Sequence, residues 1–353
     1  GAALRIELSA IALSLAIAAV LSAIYLTARR RLPVSSDLLR ATVLAAPAIW
    51  LAGCMAISQW DEFTQWIPNA RYIYLHDVFP GAGMPETFSN FPAYPHGLAY
   101  VIYLTSQISG HLVENASAMF SVVLTAAFGI GVGRTIRAAA TRRDPAARVP
   151  LGLSALPPQQ IGWTYCAIGG LAATALNPTF VPKVAFTGYA DAPTSALVGM
   201  LCIQFWMLLN TLAGEETEFR PRYLAACIGI TGVALISVKQ VNLVLFILIA
   251  GGAFLAAIRD PKIRTGDVLR LSPIVVAPPA AIYLLWRLHV GLHDVTGEAG
   301  FYPLSEWHLA HIWTIAERML LIASKKGGYF LVMLAATGFA VRALWRTRTP
   351  LDR

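Results

Sequence analysis

Charge is what this sequence has least of. Of its 353 residues only 13% are Asp, Glu, Lys or Arg, against about 25% in an ordinary soluble domain. Apolar residues fill the space, at 57% of the chain with a mean hydropathy of +0.60. That balance excludes a soluble enzyme, a disordered chain and a nucleic-acid-binding module. Cysteine is also scarce. Cys54, Cys166, Cys202 and Cys227 all lie in apolar runs, and none has CxxC spacing. Neither a zinc site nor a disulfide framework is indicated, and the four read as small core hydrophobes. There is no internal repeat and no low-complexity tract. The chain does not open on Met, and its first residues read as a tag scar or a trimmed end.

What the chain does have is long apolar runs. A helix crossing a bilayer needs roughly 20 mostly apolar residues. Runs of that kind fall near 8–28, 41–58, 117–136, 161–177, 191–212, 223–237, 241–258, 271–290 and 327–345. These predict an all-α, polytopic bundle of about nine spans, forming one integral-membrane domain over 1–353. The stretch from Tyr223 to Ile258 is too long for one span. It is broken by a polar knot of Ser237, Lys239, Gln240 and Asn242, so a tight helical hairpin is expected there. Tyr100–Ile108 is apolar but too short to cross, and reads as part of an interfacial or re-entrant helix.

The net charge of +8 tests this map. Segments 29–40, 134–148, 220–222, 259–270 and 342–353 hold nineteen of the 27 Lys and Arg. All five fall on one side of the predicted bundle, which the positive-inside rule makes cytoplasmic. All seven histidines fall on or near the other side. The outer loops, 59–116, 178–190 and 288–326, are therefore where chemistry is expected. The map puts the N-terminus outside as well, unless an upstream helix has been lost. A multi-pass protein of a bacterial inner membrane, active towards the periplasm, is the expectation.

Four outer segments carry candidate chemistry. Trp60-Asp61-Glu62-Phe63 sets adjacent acids at a membrane boundary, where they are costly unless hydrated, paired or functional. A carboxylate there can act as general base towards a hydroxyl, or bind a divalent cation such as Mg or Mn. A hydrated helix end within an aromatic belt of Trp60 and Trp66 is the plainer reading. Tyr94-Pro95-His96-Gly97 should form a rigid, shaped loop, because Pro fixes φ and resists helix continuation. Asp191 stands at a helix start as an N-cap or near-cap. Lys239 lies between two apolar helices, where it snorkels or meets an anionic phosphate. The last outer loop adds His289 and His293 at i,i+4, and His308 and His311 at i,i+3. Either pair is half a metal site at most, and a solvated amphipathic helix explains them better. Lys325 and Lys326, beside two glycines, suit either phosphate capture or interface anchoring.

Together these residues resemble the GT-C superfamily of integral-membrane glycosyltransferases, which use polyprenyl-phosphate-linked sugars and include aminoarabinose transferases and protein O-mannosyltransferases. Trp60-Asp61-Glu62-Phe63 looks like the acidic motif of their first outer loop. Tyr94-Pro95-His96-Gly97 resembles the "YPPG"-like segment, with His96 in place of the second Pro. Gly188-Tyr189-Ala190-Asp191 looks like the "Y-x-D" that opens a later span. Ser237–Asn242 resembles the "K-x-E-G" turn, without its Glu and Gly. The resemblance implies an inverting transfer from a polyprenyl-phosphate sugar to a glycan, lipid or protein acceptor. Asp61 would be the base, with Glu62 orienting it or binding a metal. Lys239 would hold the donor phosphate, helped by Arg287, Lys325 or Lys326. Tyr94, His96, Tyr189 and Asp191 would line the sugar and acceptor pocket. A transporter or flippase, or a polymerase or ligase, for lipid-linked glycans is the alternative. Transporters usually carry their charge near the midplane rather than at one face.

Overall fold

The computed structural model describes residues 7–28, 36–141, 161–177, 180–214, 220–297, 303–324 and 327–345. It is 78% helical, and no strand occurs among the described residues. Among the described residues, six helices are long and apolar enough to cross a membrane: Ser36–Cys54 (α2), Ala116–Arg137 within Ala116–Thr141 (α5), Asp191–Leu212 (α8), Pro221–Val238 (α9), Asn242–Arg259 (α10) and Thr265–Leu292 (α11). Helices also stand at three further expected spans: Leu8–Ala28 (α1), Gly162–Ala175 (α6) and Gly327–Trp345 (α13). At 14 residues, α6 is about 21 Å long, short of the roughly 30 Å hydrocarbon core. The shorter elements are Ile67–His76 (α3), Gly97–Ser109 (α4), Pro182–Ala185 (α7) and Ile312–Ser324 (α12). The apolar segment around Tyr100–Ile108 is thus a 13-residue helix, too short to span.

The expected hairpin forms at the polar knot. Pro221 opens α9 at its first turn, where a missing N–H costs nothing. The helix stops where Lys239 turns extended (φ −158°, ψ 128°), and α10 begins at Asn242. Asn242 is what closes the turn. Its buried amide donates to the Leu235 carbonyl, one of the acceptors that a helix end leaves without a partner, and to Thr194 Oγ1, both at 2.9 Å. One side chain thereby joins α9 and α10 to the first turn of α8.

Between α5 and α6 the packing is closer still. A Cβ at Gly133 would run into the Tyr165 backbone, and one at Gly169 into Gly129 and Gly133. Small residues that let helix backbones touch are the usual means of association where lipid removes the hydrophobic drive. The main core lies under α8 and α9, where Trp66, Leu98, Leu197, Leu201, Ile228, Leu235 and Phe246 pack together.

Each end of the bundle has its own lock. At one, Asp37 is fully buried in the first turn of α2, with Arg40 Nη1 3.1 Å and Arg134 Nη2 3.3 Å from its oxygens. At the other, Asp77 ends α3 in the left-handed region (φ 54°) and caps α1. Its carboxylate accepts from the Ser9 N–H at 2.9 Å, from Ser9 Oγ at 2.7 Å and from the Tyr103 hydroxyl. The N-terminus of α1 therefore sits at the same end of the bundle as the 58–115 loop.

Candidate functional site

The 58–115 loop begins with a single turn of π-helix, Glu62–Trp66, that runs directly into α3. Turns of this kind are uncommon, and are found frequently at functional sites. Glu62 sets its position. The side chain is 4% exposed, and Oε2 accepts the Ser58 and Gln59 N–H groups, each at 2.9 Å. Oε1 accepts the Gly188 N–H at 2.6 Å, across 126 residues of sequence. Three backbone donors thus occupy both oxygens. Glu62 thus pins the 58–62 turn to Gly188, with both oxygens engaged by backbone N–H groups.

Beside it, Asp61 is half-buried and stands among phenols. Burial raises the pKa of Tyr94, and the Asp61 charge adds to the rise. Tyr189 is raised by burial first and then by Asp61, with smaller pushes from Glu62 and Asp191 and an opposing hydrogen bond to the Asp61 backbone. Tyr189 therefore has all three carboxylates around it. Tyr94 is held by stacking on Phe91 (centroids 5.1 Å, 20° between planes) and by Trp66 at 6.2 Å. The loop beneath is tied down by Asn90 N–H to the Thr64 carbonyl (2.8 Å) and by Asn69 Nδ2 to the Phe91 carbonyl (3.3 Å).

Lys239 reaches the same cluster from the α9–α10 turn. Its Nζ is 3.8 Å from Asp191 Oδ1. Asp191 is the first residue of α8 rather than its N-cap, which is Ala190, so it acts on the helix dipole and on Lys239 without capping a backbone N–H. The 94–97 segment is docked against this turn by Gly97. A Cβ there would collide with the Ser237 backbone, so only glycine lets α4 start against the end of α9. The four segments singled out from sequence thus meet at one end of the bundle, through Glu62–Gly188, Asp61 beside Tyr94 and Tyr189, Gly97–Ser237 and Lys239–Asp191.

Other expectations turn out differently. His96, expected in the sugar pocket, is 6% exposed and packed edge-on to Phe79 (5.3 Å) and against Trp286 (5.0 Å), beside a separate apolar cavity. Burial lowers its pKa to about 3, over an opposing pull from the Tyr94 backbone and a small push from His289. Arg287 is exposed on α11 and does not line that cavity. Lys325 and Lys326 lie outside the described residues. The His289 and His293 rings are 4.8 Å apart, and those of His308 and His311 6.2 Å. Among the described residues no three His, Cys, Asp or Glu converge as a metal site. With Glu62 committed to backbone donors, the residues present do not fit a cation held between Asp61 and Glu62.

The fold and composition define a multi-pass membrane protein with a polar cluster at one end. Comparison with protein-family models, curated proteins and solved structures gave no match to any of them.

Proposed function

We propose that this protein is a membrane glycosyltransferase of GT-C type, moving a sugar from a polyprenyl-phosphate donor to a hydroxyl of a glycan, lipid or protein acceptor. In this reading α1, α6 and α13 join the six long helices in the bilayer to give nine crossings. The basic end faces the cytoplasm by the positive-inside rule, so the cluster works on the outer side. The observation that supports the reading is the convergence of Asp61, Tyr94, Tyr189, Asp191 and Lys239 from four segments spread over 60–242.

The chemistry follows from what each group can do. Asp61, half-buried and held on a turn fixed by Glu62, takes the proton from the acceptor hydroxyl. The acceptor oxygen attacks the anomeric carbon from the face opposite the phosphate, and the bond from that carbon to the phosphate oxygen breaks. The anomeric configuration inverts and polyprenyl phosphate leaves. It departs already ionised, so no general acid is needed. Lys239, partly withdrawn from water, meets the phosphate charge. Tyr94 and Tyr189 keep their protons at neutral pH and so can donate hydrogen bonds to sugar oxygens.

The test is complementation. Cells deleted for this protein should accumulate a lipid-linked sugar and lose a surface glycan, read by mass spectrometry. The wild-type gene should restore both. Asp61→Asn should reach the membrane in normal amount yet transfer about 10²–10⁴-fold more slowly, the usual worth of a general base. Full restoration by Asp61→Asn would overturn the base assignment. An unchanged lipid and glycan profile in the deletion would overturn the reading as a whole.

A further inference from the structure

Outside the Asp61–Lys239 cluster, a cavity with a polar end lies among the described residues. It measures about 610 Å³, within the usual range for small-molecule sites. It lies between the start of α1, the start of α4, the end of α9 and the outer third of α11. The lining of α11 runs from Ile282 to His293, about 16 Å of wall at 1.5 Å per residue. Its flank along α11 is bounded by the exposed Leu285, Leu288 and Leu292. This is the shape of a slot for a chain rather than for a compact polar solute.

The polar end is unusual. His96 is in the wall, almost wholly buried; the Tyr94 backbone is a polar group close to its ring, and neither ring nitrogen reaches a partner at hydrogen-bond geometry. His289, one α11 turn from His293, also lines the cavity, and its Nε2 is buried without a partner. Buried polar atoms of this kind are rare, and they call for an unseen partner. Phe79 and Trp286 hold both rings in place, and Trp286 is itself fixed by its indole N–H on the Ala93 carbonyl at 2.8 Å.

The chemistry of the missing partner can be narrowed. No Lys or Arg lines the cavity. The His96 imidazole is neutral at any ordinary pH. A phosphate or carboxylate brought here would lose its water and find no counter-charge. A neutral imidazole carries one donor and one acceptor nitrogen, and a hydroxyl is both donor and acceptor. We infer that this cavity binds an uncharged long-chain alcohol, its hydroxyl hydrogen-bonded at His96 and His289 and its hydrocarbon lying along α11. The lining contains none of Asp61, Asp191 and Lys239, and the inference does not rest on the transferase reading.

The experiment is a binding titration by native mass spectrometry on the full chain in detergent, with farnesol and farnesyl phosphate as matched probes. Farnesol should bind at least about tenfold more tightly than its phosphate. His96→Phe keeps the aromatic packing but removes both nitrogens, and should weaken farnesol about tenfold, the loss expected when a buried hydroxyl is left unpaired. His96→Gln, which restores a donor and an acceptor, should recover most of that loss. Should His96→Phe fail to fold, Ile282→Trp, which fills the apolar part of the slot, should abolish farnesol binding on its own. Equal or tighter binding of farnesyl phosphate would overturn the inference, as would undiminished farnesol affinity in His96→Phe or Ile282→Trp.

Discussion

Replacing Glu62 by Gln is the sharpest perturbation of this site, because it alters two atoms and leaves the shape alone. The carboxylate takes three N–H groups, from Ser58, Gln59 and Gly188. The amide offers one oxygen. In its better orientation that oxygen keeps the Ser58 and Gln59 pair, and the amide nitrogen then faces the Gly188 N–H. One buried donor is stranded, at about 1–3 kcal/mol, and the two surviving bonds lose their ionic character at about 0.5–1 kcal/mol each. The sum is about 2–5 kcal/mol against the clamp. Local opening of the turn should therefore rise roughly 30- to 5000-fold. Hydrogen exchange read by mass spectrometry should show that acceleration in peptides covering 57–63 and 186–190, two stretches far apart in sequence. Peptides around Asp37, at the opposite end of the bundle, should exchange as in the wild type. Sugar transfer should fall too, since Asp61 rides on the same turn. Exchange within about threefold of wild type in both outer peptides would refute the clamp. Acceleration in only one of them would refute its bridging role.

Three further perturbations follow from the same geometry. Lys239→Ala should weaken donor binding about ten- to hundredfold, the worth of a charged hydrogen bond, while the acceptor KM moves little; equal donor affinity would reject the phosphate role. Asp191→Asn should barely change thermal stability, because a 3.8 Å pair with side chains 33% and 49% exposed is worth no more than about 1 kcal/mol; a large drop in Tm would show that the pair supports the fold. Gly97→Ala should cost about 1–3 kcal/mol by forcing α4 off the Ser237 backbone, and an unchanged Tm would remove the close-approach argument. His96 sets an acid limit. The unfolded chain gains a proton near pH 6.5 that the native imidazole refuses down to about 3, so this group's contribution to stability falls as pH falls through that window, by about 2 kcal/mol between pH 6.5 and about 4.5. The fall should be smaller by that amount in His96→Phe, and identical pH–Tm curves for the two proteins would contradict it.

What could be read in the sequence and what could not divide along a physical line. Features whose cause is local came through. Asn242 and Lys239 stand at a hairpin because a polar knot in an apolar run must sit at a helix end, and that depends only on neighbours in the chain. Asp191 starts a helix for the same kind of reason. Features whose cause is distant did not. Glu62 reads as a group that orients Asp61 or binds a metal, and nothing near it in the chain foretells that Gly188 meets it from 126 residues away. Asp77 has no local signal that sets it apart, yet it caps α1 from 68 residues away. Asp37, in a segment read only for its positive charge, is the buried centre of an ion triad whose third member is 97 residues on. In each case a carboxylate drawn out of water must have its oxygens met, and at least one of the donors that meet it comes from a distant element. His96 is the same argument run in reverse. Its motif position suggested a polar pocket, but the apolar walls of Phe79 and Trp286 make it a neutral group with unmet nitrogens. This one end of the bundle thus carries two polar centres of opposite kind: a charged one at Asp61, Asp191 and Lys239, fit for ionic chemistry, and an uncharged one at His96 and His289, fit for a hydroxyl.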